Sequence, residues 1–199
     1  IKNWDQPIIY QSEVGILGIL TTQFQGVWHF LMQAKAEPGN PNIVQLAPTV
    51  QATESNYTQV HKGRAPLYLE YFLNHAKSNI LVDQLQTGQG ARFFKKKNRN
   101  MIVEVKQEIK SHDLFCWLTL WQLKKLLTVD NVVNVEARSV LACIPNKKTF
   151  SVSTPGMAKR ENSGHFISNN DLSASVGKAG NVDKNMDRVI GWIDKMKKR

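Results

Sequence analysis

The chain has 199 residues, 42% of them hydrophobic, and a formal charge of +10. That is one domain's worth of core-forming residues with room for an appendage. No apolar run approaches the roughly 20 residues of a bilayer-crossing helix, so the chain reads as soluble and without a membrane partner. The charge raises a nucleic-acid ligand, but its distribution argues against one. Residues 1–146 carry 15 Lys and Arg against 11 Asp and Glu, a net of +4, whereas residues 147–199 carry 11 against 5, a net of +6. The excess sits mainly in the last quarter, where a solvated basic tail explains it. A nucleic-acid-binding protein is therefore kept only as a second alternative. The two cysteines, Cys116 and Cys143, lie in apolar surroundings with no ligand spacing around them. They read as buried free thiols in a reducing, cytoplasmic setting, and no metal site is expected.

The chain starts at an Ile and carries no signal peptide; Trp4 and Gln6-Pro7 so soon after it read as the interior of a longer polypeptide. Val14 to Leu20 predicts a buried strand, and Thr21 to Gly26 a polar turn. From Trp28 the apolar residues alternate, with Trp28, Phe30 and Met32 on one side and His29, Leu31 and Gln33 on the other, the period of a strand. Glu37-Pro38-Gly39-Asn40-Pro41 then turns the chain, because Pro fixes φ and Gly permits positive φ. Extended runs follow from Ile43 to Leu46 and from Val50 to Thr53. The polar residues Gln33, Lys35, Glu37, Asn40, Gln51, Thr53, Ser55, Asn56, Tyr57 and His61 fall at strand ends or beside turns, where a scaffold presents binding groups. Gln51 and Asn56 are the most telling, being isolated amides with no packing reason for their positions.

Pro66 predicts the start of a short helix through Leu73, with Leu69, Phe72 and Leu73 on one side. Leu81 to Gln86 is extended, and Thr87-Gly88-Gln89-Gly90 a tight turn. Arg92 to Lys95 and Asn100 to Val105 read as two strands separated by the basic run Lys95 to Arg99. That run is either a solvated hairpin tip or a phosphate clamp. Thr119 can cap a helix reaching about Asp130, and a second helix covers Val135 to about Ile144, ending at Pro145. Together these predict an α+β module, a mixed β-sheet flanked by helices, over residues 1–145. Residues 146–181 lose all periodicity and read as a flexible, disordered linker, with His165-Phe166 at most a docking element. Residues 182–199 are amphipathic again, with Met186, Val189, Ile190, Ile193 and Met196 on one face and Trp192 beside it. This is a C-terminal helix with no module after it.

The strings QPIIYQSEVGILGIL (6–20), HFLMQAKAEPGN (29–40), QLAPTVQATESNYTQVH (45–61), FFKKKNRNMIVEV (93–105), FCWLTLWQL (115–123) and NVEARSVLACIP (134–145) lie in order over about three quarters of the chain. In them the sequence resembles the NDP-hexose 2,3-dehydratase family of deoxysugar natural-product biosynthesis. The resemblance implies two Nudix-like modules in tandem, joined by a variable linker, in a homodimer. This chain would supply the first module, truncated at its start, then the linker, then the helix that opens a missing second module; no second copy of QPII, QAK or PTVQ is present. It also implies a dTDP-linked 4-keto-6-deoxy sugar as substrate, 2,3-dehydration as the reaction, and no cofactor.

That chemistry needs a base at C3–H, an acid at the C2 oxygen, a donor at the C4 carbonyl and cations for the diphosphate. His29, Glu37 and His61 are candidates for the base, and Lys35 or Tyr57 for the donor or acid. Gln33, Asn40, Gln51, Thr53, Ser55, Asn56 and Asn100 are candidates for sugar or base contacts, and Arg92 and Arg99 with the adjacent lysines for phosphate. The alternatives remain. His29 can be a core histidine, Lys35 and Glu37 a simple ion pair, and the whole a non-catalytic nucleotide-sugar-binding or dimerisation module. The family tends to carry Arg at the positions of Glu54 and Gln59, Ser at Ala47 and a carboxylate at Gly88, which places the local anion site in question. The carboxylate-rich signature of a Nudix hydrolase is absent, which excludes pyrophosphohydrolase activity.

Overall fold

A computed structural model describes residues 5–58, 64–74, 76, 78–110, 112–144 and 183–198. The described part is a seven-stranded mixed sheet: β1 (Gly15–Phe24), β2 (Val27–Ala36), β3 (Val44–Ala47), β4 (Val50–Ala52), β5 (Asn79–Thr87), β6 (Lys97–Glu104) and β7 (Phe115–Thr119). The helices are α1 (Glu54–Tyr57), α2 (Glu70–Leu73), α3 (Leu120–Leu127), α4 (Val135–Ala142) and α5 (Asp183–Lys197). The principal path through the sheet is β3-β2-β1-β6-β5, with β4 on β1 and β7 on β2. Only the β1–β6 pairing within the sheet is parallel; the other strand pairs run antiparallel.

Strand alternation divides two cores. Leu17 and Ile19 of β1, Trp28, Phe30 and Met32 of β2, and Ile102 of β6 face α3 and α4. Ile16 and Leu20, Leu31, Met101 and Val103 face the opposite way, against Leu69 and Phe72. Both faces of β1 and β2 are thus covered, which is why their sequences are apolar on both sides. Gly18 is needed where it stands: a Cβ there would lie 2.2 Å from the Phe72 ring.

β1 runs further than expected. Thr21 is buried, and its hydroxyl donates to the His29 carbonyl at 2.7 Å. The strand ends only at a two-residue hairpin, where Gln25 and Gly26 have φ of 52° and 76°. This left-handed pair matches the twist of the flanking strands. Halfway along, β2 peels away from β1. The Leu20 N–H donates to Thr49 Oγ1 at 2.9 Å, and the Thr49 hydroxyl donates to the Leu31 carbonyl. Since Leu20 and Leu31 are paired across the two strands, one side chain fills the fork, and β4 takes over the first half of β1.

Other elements differ locally. Arg92 to Lys95 is no strand; a single bridge from Ile9 to Phe93 and a turn occupy it, with Lys95 at φ 53°. The helix expected from Pro66 is regular only over Glu70–Leu73, and Leu73 is half exposed. Residues 115–119 form β7, and its last residue caps α3 in a reciprocal box. Thr119 Oγ1 accepts from Gln122 N–H and Gln122 Oε1 from Thr119 N–H, satisfying two donors and adding about 1 kcal/mol. Asn134 caps α4 through Ala137 N–H at 2.8 Å. The linker 146–181 lies outside the described residues.

α5 covers the sheet near β3. Val189 and Ile193 join the core shared with α3 and α4, and Met196 packs with Ala34 and Val44. Met186 and Trp192 are half-buried, whereas Ile190 is 46% exposed, so the buried stripe is narrower than the sequence pattern. Among the described residues no helix is long and apolar enough to cross a membrane.

Candidate functional site

One end of the sheet opens into a cavity of about 560 Å³, bounded by β1, β4, the start of α4, the β5–β6 connection and the N-terminal segment. The strand ends aim polar groups into it. Gln51 and Leu17, paired across β4 and β1, both line it. Lys35 enters from the end of β2, Thr53 and Asn56 from the start of α1, and Gln11 from the N-terminal segment. Lys96 and Asn98 come from the start of β6, Gln89 from the turn before it, and Glu136 and Ser139 from α4. Gly15 lets the strands approach, since a Cβ at that position would lie 2.9 Å from Asn98 Oδ1.

Lys35 Nζ lies 2.9 Å from Glu37 Oε1, and Gln51 Nε2 donates to the same oxygen at 3.1 Å. Asn134 Nδ2 donates to Gln51 Oε1 at 3.4 Å. The cap of α4 therefore orients the amide, and the amide orients the carboxylate. Glu37 and Asn40 line a neighbouring hollow of about 470 Å³ that shares Val135 and Glu136 with the first. Asn40 Nδ2 is buried there with no acceptor. Thr53 and Ser55 share a hydroxyl contact at 3.0 Å, and Ser55 donates through both N–H and Oγ to Glu13. Those bonds, first that from the Ser55 main chain, hold the Glu13 carboxyl below the ordinary range.

Lys35, Gln51, Thr53 and Asn56 thus share one cavity, with Glu37 and Ser55 bonded to residues of its wall and Asn40 in the neighbouring hollow. Other candidates stand elsewhere. Gln33 sits between Ala47 of β3 and Phe115 of β7. Arg92 is exposed in the turn before β6. Arg99 is held by Asp83 through two bonds of 2.6 and 2.7 Å. Asn100 lies beneath the cavity, fully buried, donating to Gln86 and to Ser139. His29 stands on β2 beside the hairpin, its Nδ1 2.8 Å from the Val27 carbonyl and its ring edge-on to Phe24. Burial holds its pKa below the ordinary value. Of Tyr57 only the backbone is described, and His61 lies outside the described residues. Lys96, Asn98, Gln11, Glu136 and Ser139 were not singled out individually in the sequence. The strand period of β6 was the available signal for Lys96 and Asn98, since both fall in phase with buried Asn100.

The model of the NDP-hexose 2,3-dehydratase family matches residues 1–144. The chain belongs to this family. Among curated members, a dTDP-4-dehydro-6-deoxy-alpha-D-glucopyranose 2,3-dehydratase of Saccharopolyspora spinosa is 47% identical over 197 residues, 99% of this chain and 39% of that protein. Enzymes of the same name from Amycolatopsis orientalis and Streptomyces violaceoruber are 56% and 51% identical over 144 residues, 72% of this chain and 31% and 32% of theirs. The chain therefore spans between 31% and 39% of the length of these dehydratases. Similar solved structures include a Nudix hydrolase of M. smegmatis, RenU, with a TM-score of 0.41 at 15% identity, covering 66% of this chain and 88% of that one. A C. elegans Ap4A hydrolase gives 0.38 at 10% identity, covering 66% and 95%.

Proposed function

We propose that this chain is the first module of an enzyme that dehydrates a dTDP-4-keto-6-deoxyhexose across C2 and C3. One observation supports this above the others: a cavity of nucleotide-sugar size, rimmed by amides and containing lysines, at the ends of the strands that carry the family strings. In the reaction a base takes the C3 proton and the electron pair moves into the C4 carbonyl as an enolate. The enolate then expels the C2 oxygen, which leaves as water once protonated. The C2–C3 enol that remains tautomerises to the 3,4-diketo-2,6-dideoxy sugar.

Of the two base candidates among the described residues, Glu37 is taken over His29, because its carboxylate is oriented by Gln51 and Lys35 beside the cavity. Lys35, bonded to that carboxylate, is placed to return a proton to the leaving oxygen or to polarise the carbonyl. Tyr57 and His61 stay candidates for the same steps. Gln51, Thr53 and Asn56 are assigned to the sugar nucleotide. A second homologous module after α5, a homodimer and a cytoplasmic location complete the proposal.

The test is incubation of the chain with dTDP-4-keto-6-deoxyglucose, following the diketo product. Product formation supports the enzyme. A second reading, a binding module without turnover, is favoured by one feature: Glu136 is the sole carboxylate among the described residues lining the main cavity. Saturable dTDP binding with no product would select it, and absence of both would overturn the two readings together.

A further inference from the structure

The basic run Lys95 to Arg99 is sorted by the local backbone into separate fates. Positive φ at Lys95 turns that residue outward over the Phe94 ring, 5.1 Å from its centroid. From there the two-residue period takes over. Arg99 pairs with Asp83, whereas Lys96 and Asn98 line the cavity in phase with Asn100. Lys96 is 7% exposed. Gly88 admits its stem, since a Cβ there would sit 3.1 Å from Lys96 Cγ.

An ammonium group has three N–H donors and requires compensation when taken out of water. Lys96 Nζ donates to the main-chain carbonyl of Glu13 at 2.6 Å. That oxygen is formally neutral, and among the described residues no carboxylate lies within 4.0 Å of this nitrogen. The Glu13 carboxylate takes its hydrogen bonds from Ser55 and acts on Lys96 only through space, beyond ion-pair distance. A cation is therefore buried at the wall of a polar cavity, bonded to one carbonyl, with donors to spare and only the more distant Glu13 carboxylate acting on it through space. Lysine as a compact point charge suits a phosphate oxygen.

Building on the nucleotide-sugar reading, we propose that Lys96 is the anion anchor of the cavity and binds the diphosphate of the ligand. The diphosphate lies between β6 and the N-terminal segment, and the sugar extends toward Lys35 and Gln51.

The test compares Lys96→Met with the unaltered chain by calorimetric titration of dTDP, thymidine and pyrophosphate. The expected result is a loss of at least tenfold in dTDP affinity, unchanged thymidine affinity, loss of pyrophosphate binding, and partial recovery in Lys96→Arg. If Lys96 only staples the N-terminal segment, dTDP and thymidine weaken by the same factor, which overturns the proposal. Pyrophosphate binding that survives in Lys96→Met also overturns it. Should the unaltered chain bind pyrophosphate but not dTDP, and Lys96→Met lose it, the anchor stands and the nucleotide-sugar reading falls. Lys96→Gln, which keeps a donor, serves the same comparison if the methionine variant does not fold.

Discussion

The indole N–H of Trp192 donates to the main-chain carbonyl of Asp113 at 3.2 Å, tying α5 to the residues that lead into β7. Beside it Ile193 is 5% exposed within the core shared with α3 and α4. Ile193→Ala should therefore destabilise the chain by about 2–5 kcal/mol, as other large-to-small core changes do. Trp192→Phe, which mainly removes the hydrogen bond, should cost about 1 kcal/mol. Urea unfolding of the two variants checks the ranking; equal midpoints for Ile193→Ala and the parent would show that α5 is not part of the folded core.

Gly18 faces the Phe72 ring with no space for a methyl group. Gly18→Ala should cost at least about 1–3 kcal/mol, the usual penalty of an overpacked core. Combining it with Phe72→Leu should give less than the sum of the two single effects, because the smaller side chain relieves the clash. A thermal double-mutant cycle reads that coupling, and strict additivity would contradict the contact.

Gln51→Ala and Asn56→Ala remove amides from the cavity wall. Each should weaken dTDP-sugar binding by about five- to tenfold, the size of one lost hydrogen bond. Gln51→Ala carries a further effect, since Glu37 loses the donor that orients it. It should therefore lower turnover more than Asn56→Ala does. Titration calorimetry with either variant indistinguishable from the parent would remove that residue from the site.

His29 is held neutral by burial, with its folded pKa below the ordinary 6.5. A depressed pKa means that the unfolded chain binds the proton first, so the stabilising contribution is complete above pH 6.5 and declines as pH falls below it. Glu13 behaves alike in a lower window: its contribution is present above its ordinary 4.5 and is lost as pH drops toward the depressed value. The melting temperature should fall between pH 7 and 5, and His29→Gln should flatten that part of the profile. A profile identical to the parent's would show that His29 titrates as it does in the unfolded chain.

Much of the architecture was legible because single residues carried strong local signals. The alternation through Trp28, Phe30 and Met32 marked β2, and Thr119 marked the start of α3. Thr21 misled because a polar residue before a glycine reads as a turn, whereas its hydroxyl bonds inside the sheet to the His29 carbonyl. β7 was hidden because its apolar run passes straight into α3 without punctuation. In the site, Lys35, Gln51, Thr53 and Asn56 converge because neighbouring strands end together, which their position beside turns foretold. The fate of each basic residue from Lys95 to Arg99 was not legible. It depends on the phase of a strand whose first residue no local pattern defines, and on a partner, Asp83, contributed by the strand alongside.

The parallel pairing of β1 with β6 has a consequence for biosynthesis. No hairpin can make it, because β1 ends at Phe24 and β6 begins at Lys97. Although β2 and β4 can pair with one edge of β1 early, its other edge stays open while the intervening stretch leaves the ribosome. The last apolar cover, α5, emerges later still. The ribosome must therefore pass residue 197 before this sheet is fully covered, and one stalled before residue 183 should expose an open, sticky face to chaperones.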